Sequence, residues 1–125
     1  MTAEQKFYQW FRKQLPIIAD CCRVETTTMG GMPDVNVCLR GVEIWVELKV
    51  FVGGRVLIRP EQNAWLHRRA AAGGRVFVVA QHQSGIIHVW KPGLDTTPHG
   101  KYLWIVGKSA TFHYGLDLIN FLFTT

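Results

Sequence analysis

Phe7, Phe11 and Leu15 recur at four-residue intervals and form one apolar stripe, so the first segment is predicted to be an amphipathic helix. Thr2, with Gln5 three residues on, has the spacing of a capping box at its start. Pro16 marks either its end or a kink. Val24 to Thr28 is short and β-prone, and Gly30-Gly31 with Met32-Pro33 separates it from the next strand. Val35 to Leu39 and Glu43 to Phe51 are predicted strands. They are joined by Arg40-Gly41, a two-residue hairpin turn in which Gly supplies a positive φ. Gly53-Gly54 opens a basic loop. Pro60 fits the first position of a second helix, which carries Trp65, Leu66, Arg69 and Ala70 and ends at Gly73-Gly74. Arg75 to Ala80 is nearly continuous apolar sequence, the pattern of a strand buried on both faces. Ile86 to Trp90 and Tyr102 to Val106 are further strands, with a Pro- and Gly-containing loop over 92–100 between them. Leu116 to Phe123 is a short C-terminal helix. The order α-β-β-β-α-β-β predicts an α/β fold, a mixed sheet with helices packed on it. Strict βαβ alternation and a Gly-rich phosphate fingerprint are both missing, so no nucleotide cofactor is expected.

Length and composition narrow the class. A chain of 125 residues predicts one domain spanning 1–125, long enough to bury a core without staples. With 48% hydrophobic and 18% charged residues it is not a disordered tail. No apolar run reaches the roughly 20 residues of a membrane span, and no signal core leads the chain, so a cytoplasmic location is expected. Cys21, Cys22 and Cys38 are too few and too oddly spaced for a disulfide framework or a zinc site. Cys38 is expected inside a strand as a small core residue. The five histidines show no metal-ligand spacing. The net charge of +5 suits a polyanionic partner, nucleic acid first.

Three charged residues stand out against this background. If Arg40-Gly41 is a two-residue turn, counting back along both strands sets Asp34 opposite Glu47. Directly opposed residues have Cβ atoms roughly 4.5–5.5 Å apart on one face. Glu47 and Lys49 are two apart on the same strand and share that face, while Val46, Leu48 and Val50 point into the core. Taken singly, Pro33-Asp34 is a turn signal and Glu47-Leu48-Lys49 an exposed strand face. Charges planted in so apolar a strand need a partner or a task. Two close carboxylates repel unless a proton or a cation joins them, and oxygen ligands at this separation suit Mg²⁺, with Mn²⁺ able to substitute. The ammonium can orient a water and offset charge on an attacked phosphate. Trp45 shares this face and is expected to pack under the first helix.

Gly31-Met32-Pro33-Asp34 followed by Glu47-Leu48-Lys49 resembles the PD-(D/E)xK nuclease superfamily, whose restriction-endonuclease-like αβββαβ core matches the predicted order. Arg59-Pro60-Glu61-Gln62-Asn63-Ala64-Trp65 is similar to a helix start in its VRR-NUC and Holliday-junction-resolving branch. The resemblance covers about residues 4–90. It implies that Asp34, Glu47 and the backbone carbonyl of Leu48 hold Mg²⁺, that Lys49 is the catalytic lysine, and that Gln62 supports the site. It implies an acidic role near the metal for Glu4, which also suits the first turn of a helix through the dipole alone. Glu25 ranks below Glu4 for that role. Arg55 and Arg59, between the site-bearing strand and Gln62, are expected to contact phosphates. The implied function is a metal-dependent endonuclease acting on branched DNA, as a homodimer because symmetric cutting needs two sites. The alternatives are a non-catalytic nucleic-acid-binding module on the same fold and an RNA-processing nuclease. The aromatic C-terminal segment (Phe112, Tyr114, Leu118, Phe121, Phe123) either supplies an interface or closes the core.

Overall fold

The computed structural model describes residues 1–24 and 30–124. Helix α1 (Ala3–Gln14) starts at a capping box: the Thr2 hydroxyl accepts from the Gln5 N–H, and the Gln5 side chain accepts from the Thr2 N–H. It ends at Leu15, just before Pro16, and buries Phe7 and Phe11. Strand β1 (Asp20–Arg23) comes earlier in the chain than the β-prone stretch Val24–Thr28, most of which, with Glu25, lies outside the described residues. Strands β2 (Val35–Leu39) and β3 (Val42–Val50) form the predicted hairpin. Arg40 (φ 50°) and Gly41 (φ 79°) both take the left-handed conformation that a two-residue turn of this hand demands.

The remaining elements are β4 (Val56–Ile58), α2 (Pro60–Ala71), β5 (Arg75–Gln81), β6 (Ile87–Trp90), β7 (Thr96–His99), β8 (Tyr102–Ile105), β9 (Ala110–Phe112) and α3 (Gly115–Phe123). Pro60 opens α2, and Gly73 follows its last residues at φ 95°. Six strands make the main sheet in the order β1-β2-β3-β5-β6-β9, with β3 and β5 its parallel pair. A second sheet, β4-β8-β7, was only partly foreseen, because residues 92–100 read as a loop. β7 is an edge strand there, which is where Pro98 can be tolerated without breaking a ladder.

The main sheet is covered on both sides. One face packs Val35, Val37, Ile44, Val46, Leu48, Phe77 and Val79 against α1 and α3. The other packs Val76, Val78, Ala80 and Trp90 against Trp65 and Leu66 of α2 and against the small sheet. Alternate residues of β5 therefore enter two different cores, which explains its unbroken apolar run. In the C-terminal segment Leu118, Ile119 and Leu122 are buried and Phe112, Phe121 and Phe123 pack beside them, so it closes the first core. Arg75 donates to the carbonyls of Leu122 and Thr124 at 2.8 Å each, satisfying the end of α3. The result is a mixed α/β fold, a central mixed sheet flanked by helices. Among the described residues, no helix is long and apolar enough to cross a membrane.

Two expectations fail on geometry. Cys38 lies in β2 but is exposed, because it is on the α2 side of the sheet near the edge, beyond the reach of that helix. Trp45 packs on Trp65 of α2 (centroids 5.5 Å), not under α1, because α1 covers the opposite face.

Candidate active site

The hairpin register holds from Leu39↔Val42 to Val35↔Val46, and one further step puts Asp34 beside Glu47. At Asp34 the backbone leaves the ladder, so the Leu48 N–H meets no strand there. The Asp34 side chain takes that place, with Oδ2 accepting from the Leu48 N–H at 3.2 Å. In an antiparallel ladder a residue's N–H and C=O point to the same side. The Leu48 carbonyl therefore also faces the Asp34 side.

Glu47 and Lys49 sit on the other face of β3 from Leu48, at the start of α2. Glu47 is only 2% exposed. Its Oε2 accepts from Gln62 Nε2 at 2.9 Å and lies 3.3 Å from Lys49 Nζ. Gln62 joins the parts: its Oε1 accepts from the Arg59 N–H at 2.9 Å and from Lys49 Nζ at 3.3 Å. Two donors at one end and a carboxylate at the other fix which way the amide points. Gln62 thus completes the first turn of α2 and braces both charged residues of β3 at once.

The turn before Asp34 is pressed against the same helix start. Gly31 has φ 86°, and a Cβ there would sit 2.1 Å from the Glu61 carbonyl oxygen. Only glycine allows the two backbones to approach so closely.

The electrostatics follow from burial. Desolvation pushes the Glu47 carboxyl up to about 8; Lys49 opposes this, while Asp34 and Glu4 add to it. Asp34 is also raised, mainly by burial, against the pull of the Lys49 charge and the Leu48 N–H. Two carboxylates this close disfavour being ionised together unless a cation joins them. The second oxygen of Glu47, Oε1, is buried without a hydrogen-bond donor. A buried carboxylate oxygen facing no donor, beside a second carboxylate and a backbone carbonyl, fits a hard divalent cation. Among the described residues no three His, Cys, Asp or Glu side chains converge as a metal-binding group, so the acids stand as a pair. A cation held there would draw the rest of its oxygens from Leu48, water or a phosphate, as Mg²⁺ commonly does.

Asp34, Glu47, Lys49, Leu48 and Gln62 are therefore brought together. Glu4 stands apart from the contacts: it is exposed in the first turn of α1 and reaches Glu47 through its charge alone. Arg59 begins α2 beside the site, with its guanidinium 3.3 Å from Glu61. Arg55 holds its guanidinium 5.2 Å over the Trp104 ring.

No family model matches the chain, and no curated protein matches it in sequence. Among solved structures it is similar to Hjc, a Holliday junction resolvase from the archaeal hyperthermophile Archaeoglobus fulgidus. The TM-score is 0.56 at 13% identity, over 82% of this chain and 86% of that one. The chain has the resolvase fold. It is a restriction-endonuclease-like architecture, with α1, the β1-β2-β3 meander, α2 and β5 as its core.

Sequence reasoning missed two contributors within this fold. Arg23 ends β1 opposite Val35, next to Asp34, and its charge favours the ionised form of that acid. Its strand, Asp-Cys-Cys-Arg, has no apolar alternation to reveal it. Gly31 was visible as a turn residue, but its contact with α2 links positions thirty apart and has no local signature.

Proposed function

We propose that this chain is a Mg²⁺-dependent endonuclease of the PD-(D/E)xK superfamily, in its VRR-NUC and junction-resolving branch. It hydrolyses phosphodiester bonds in DNA and selects branched or otherwise distorted forms. The observation that carries the reading is the constellation of Asp34, Glu47, Lys49 and Gln62, with a buried carboxylate oxygen left without a donor. A binding module has no use for buried acids directed at phosphate, and the resolvase fold of the chain supports the same conclusion.

The residues divide the work. Asp34, Glu47 and the Leu48 carbonyl would hold the cation, which, when bound, supplies positive charge against the phosphate in the transition state. Lys49, 15% exposed along its side chain, holds its ammonium 3.3 Å from Glu47 Oε2 and from Gln62 Oε1. There it orients the attacking water and offsets charge on the phosphate oxygens. Gln62 fixes the Glu47 carboxylate and limits where Lys49 can go. Glu4 adds negative charge at the rim. Arg55 and Arg59 contact flanking phosphates. A chain this small offers little surface for base readout, so shape is the selected feature. Cutting both strands of a junction symmetrically calls for a homodimer.

The test is incubation with a four-way junction, a flap, a linear duplex and a matched RNA, each with Mg²⁺, Mn²⁺ or EDTA. The expected result is metal-dependent cleavage, fastest on the junction. No cleavage of any substrate overturns the enzyme reading, equal cutting of all DNA forms removes the selectivity, and preferential cutting of RNA transfers the activity to RNA.

A further inference from the structure

The outer face of α1 and the edge strand β1 enclose an open groove of about 630 Å³. It is lined by Gln5, Tyr8, Gln9, Arg12, Lys13 and Arg23, with Met1 at one end. The helical residues among these recur at three- and four-residue spacing and form one face of α1, turned away from Phe7 and Phe11. The lining holds three cations and no carboxylate. Arg12 and Lys13 also stand in the last turn of α1, where the helix dipole favours positive charge. That accounts for those two but not for Arg23, which comes from a different element and turns its charge to the same space. Its guanidinium lies 4.9 Å over the Tyr8 ring, which holds it in place.

The position of the groove is as informative as its charge. Arg23 pairs with Val35, and the next residue, Val24, donates its N–H to the Asp34 carbonyl at 2.6 Å. One end of the groove therefore lies one backbone step from Asp34 on the neighbouring strand. By contrast, Arg59 is paired with Glu61, and Arg55 lies over Trp104. The three groove cations make no ion pair with a carboxylate among the described residues.

We propose that this groove is a docking track for duplex DNA, in which Arg12, Lys13 and Arg23 bind consecutive backbone phosphates and lead the strand to Asp34 and Glu47. The proposal rests on the nuclease reading for its choice of DNA. Arginine and lysine neutralising phosphates release condensed counterions, so each lost contact flattens the salt dependence of binding by about 0.9 in log–log slope.

The experiment measures binding of a fluorescein-labelled duplex by anisotropy in EDTA, across a salt series, so that cleavage plays no part. Arg12→Gln/Lys13→Gln is compared with Arg68→Gln/Lys101→Gln, which removes the same charge from exposed positions outside the groove. Arg23→Gln is measured alone, and thermal melting checks that each variant folds. The expected result is a slope lower by about 2 for the groove pair and by about 1 for Arg23→Gln. At physiological salt the groove pair should bind at least tenfold more weakly, with the control pair close to wild type. Equal losses in both pairs mean that only net charge matters and overturn the proposal, as does an unchanged slope in the groove pair. Tighter binding of a matched RNA duplex overturns the assignment to DNA. Wild-type cleavage is assayed in parallel: groove-dependent binding without any cleavage rejects the nuclease and keeps the track, whereas cleavage with a groove-independent slope does the reverse.

Discussion

Strand β3 has two faces with opposite demands. On one, Ile44, Val46 and Leu48 meet Phe7, Phe11 and Leu118 in a dry core. On the other, Trp45 meets Trp65, but the next two positions are Glu47 and Lys49. The first face is where burial and stability agree. The second buries an acid whose carboxyl is pushed up to about 8 and leaves one of its oxygens without a donor. A strand shaped by stability alone would carry apolar residues on both faces, as its parallel neighbour β5 does. The difference shows where the chain gives up folding free energy for a task.

Breaking the first face has the largest expected effect. Phe11→Ala removes a fully buried ring and should cost about 3–5 kcal/mol of stability, measured as a shift of the denaturation midpoint. Cleavage per folded molecule should persist. Breaking the second face should do the opposite. Lys49→Ala is expected to slow cleavage by about 100- to 1000-fold while lowering the melting temperature less than Phe11→Ala does, since it removes no core side chain. If both variants lose stability and activity together, the division between the faces is wrong.

The third and smallest effect is a pH dependence. In the metal-free protein Glu47 holds its proton up to about 8, above the ordinary 4.5 of a glutamate. The stability this group contributes is full below pH 4.5 and is lost as pH rises through about 8. Glu47→Gln should flatten that decline in an EDTA-treated melting series, and Mg²⁺ added at about pH 8 should raise the melting temperature of wild type more than that of the variant. A wild-type curve already flat between about pH 5 and 8 would contradict the burial of an acid at this position.

Much of this was legible because it is local. The Arg40-Gly41 turn set the register, the register set Asp34 against Glu47, and strand parity separated Leu48 from its neighbours. Pro60 and Gly73 bounded α2 for equally local reasons. The features that escaped depend on distant partners. Parity tells which face Trp45 takes but not which helix covers that face, so α1 was expected where α2 lies. Cys38 has the parity of a packed residue at a place where nothing packs. Strand β1 is an edge with the burial pattern of a surface, and β7 carries a proline, so neither has the alternation that marks a half-buried strand. Gln62 was found through its position in a motif. Its three hydrogen bonds, to Arg59, Lys49 and Glu47, could only be seen in the fold.

The contact between Gly31 and the start of α2 bears on how this chain can change over generations. At most crowded positions a larger residue can be accommodated by trimming the side chain it strikes. Here the obstacle is the main chain of Glu61 and Gln62, which every substitution leaves in place. No second-site change of residue type can make room, so any lineage that keeps this approach of the turn to α2 has to keep the glycine.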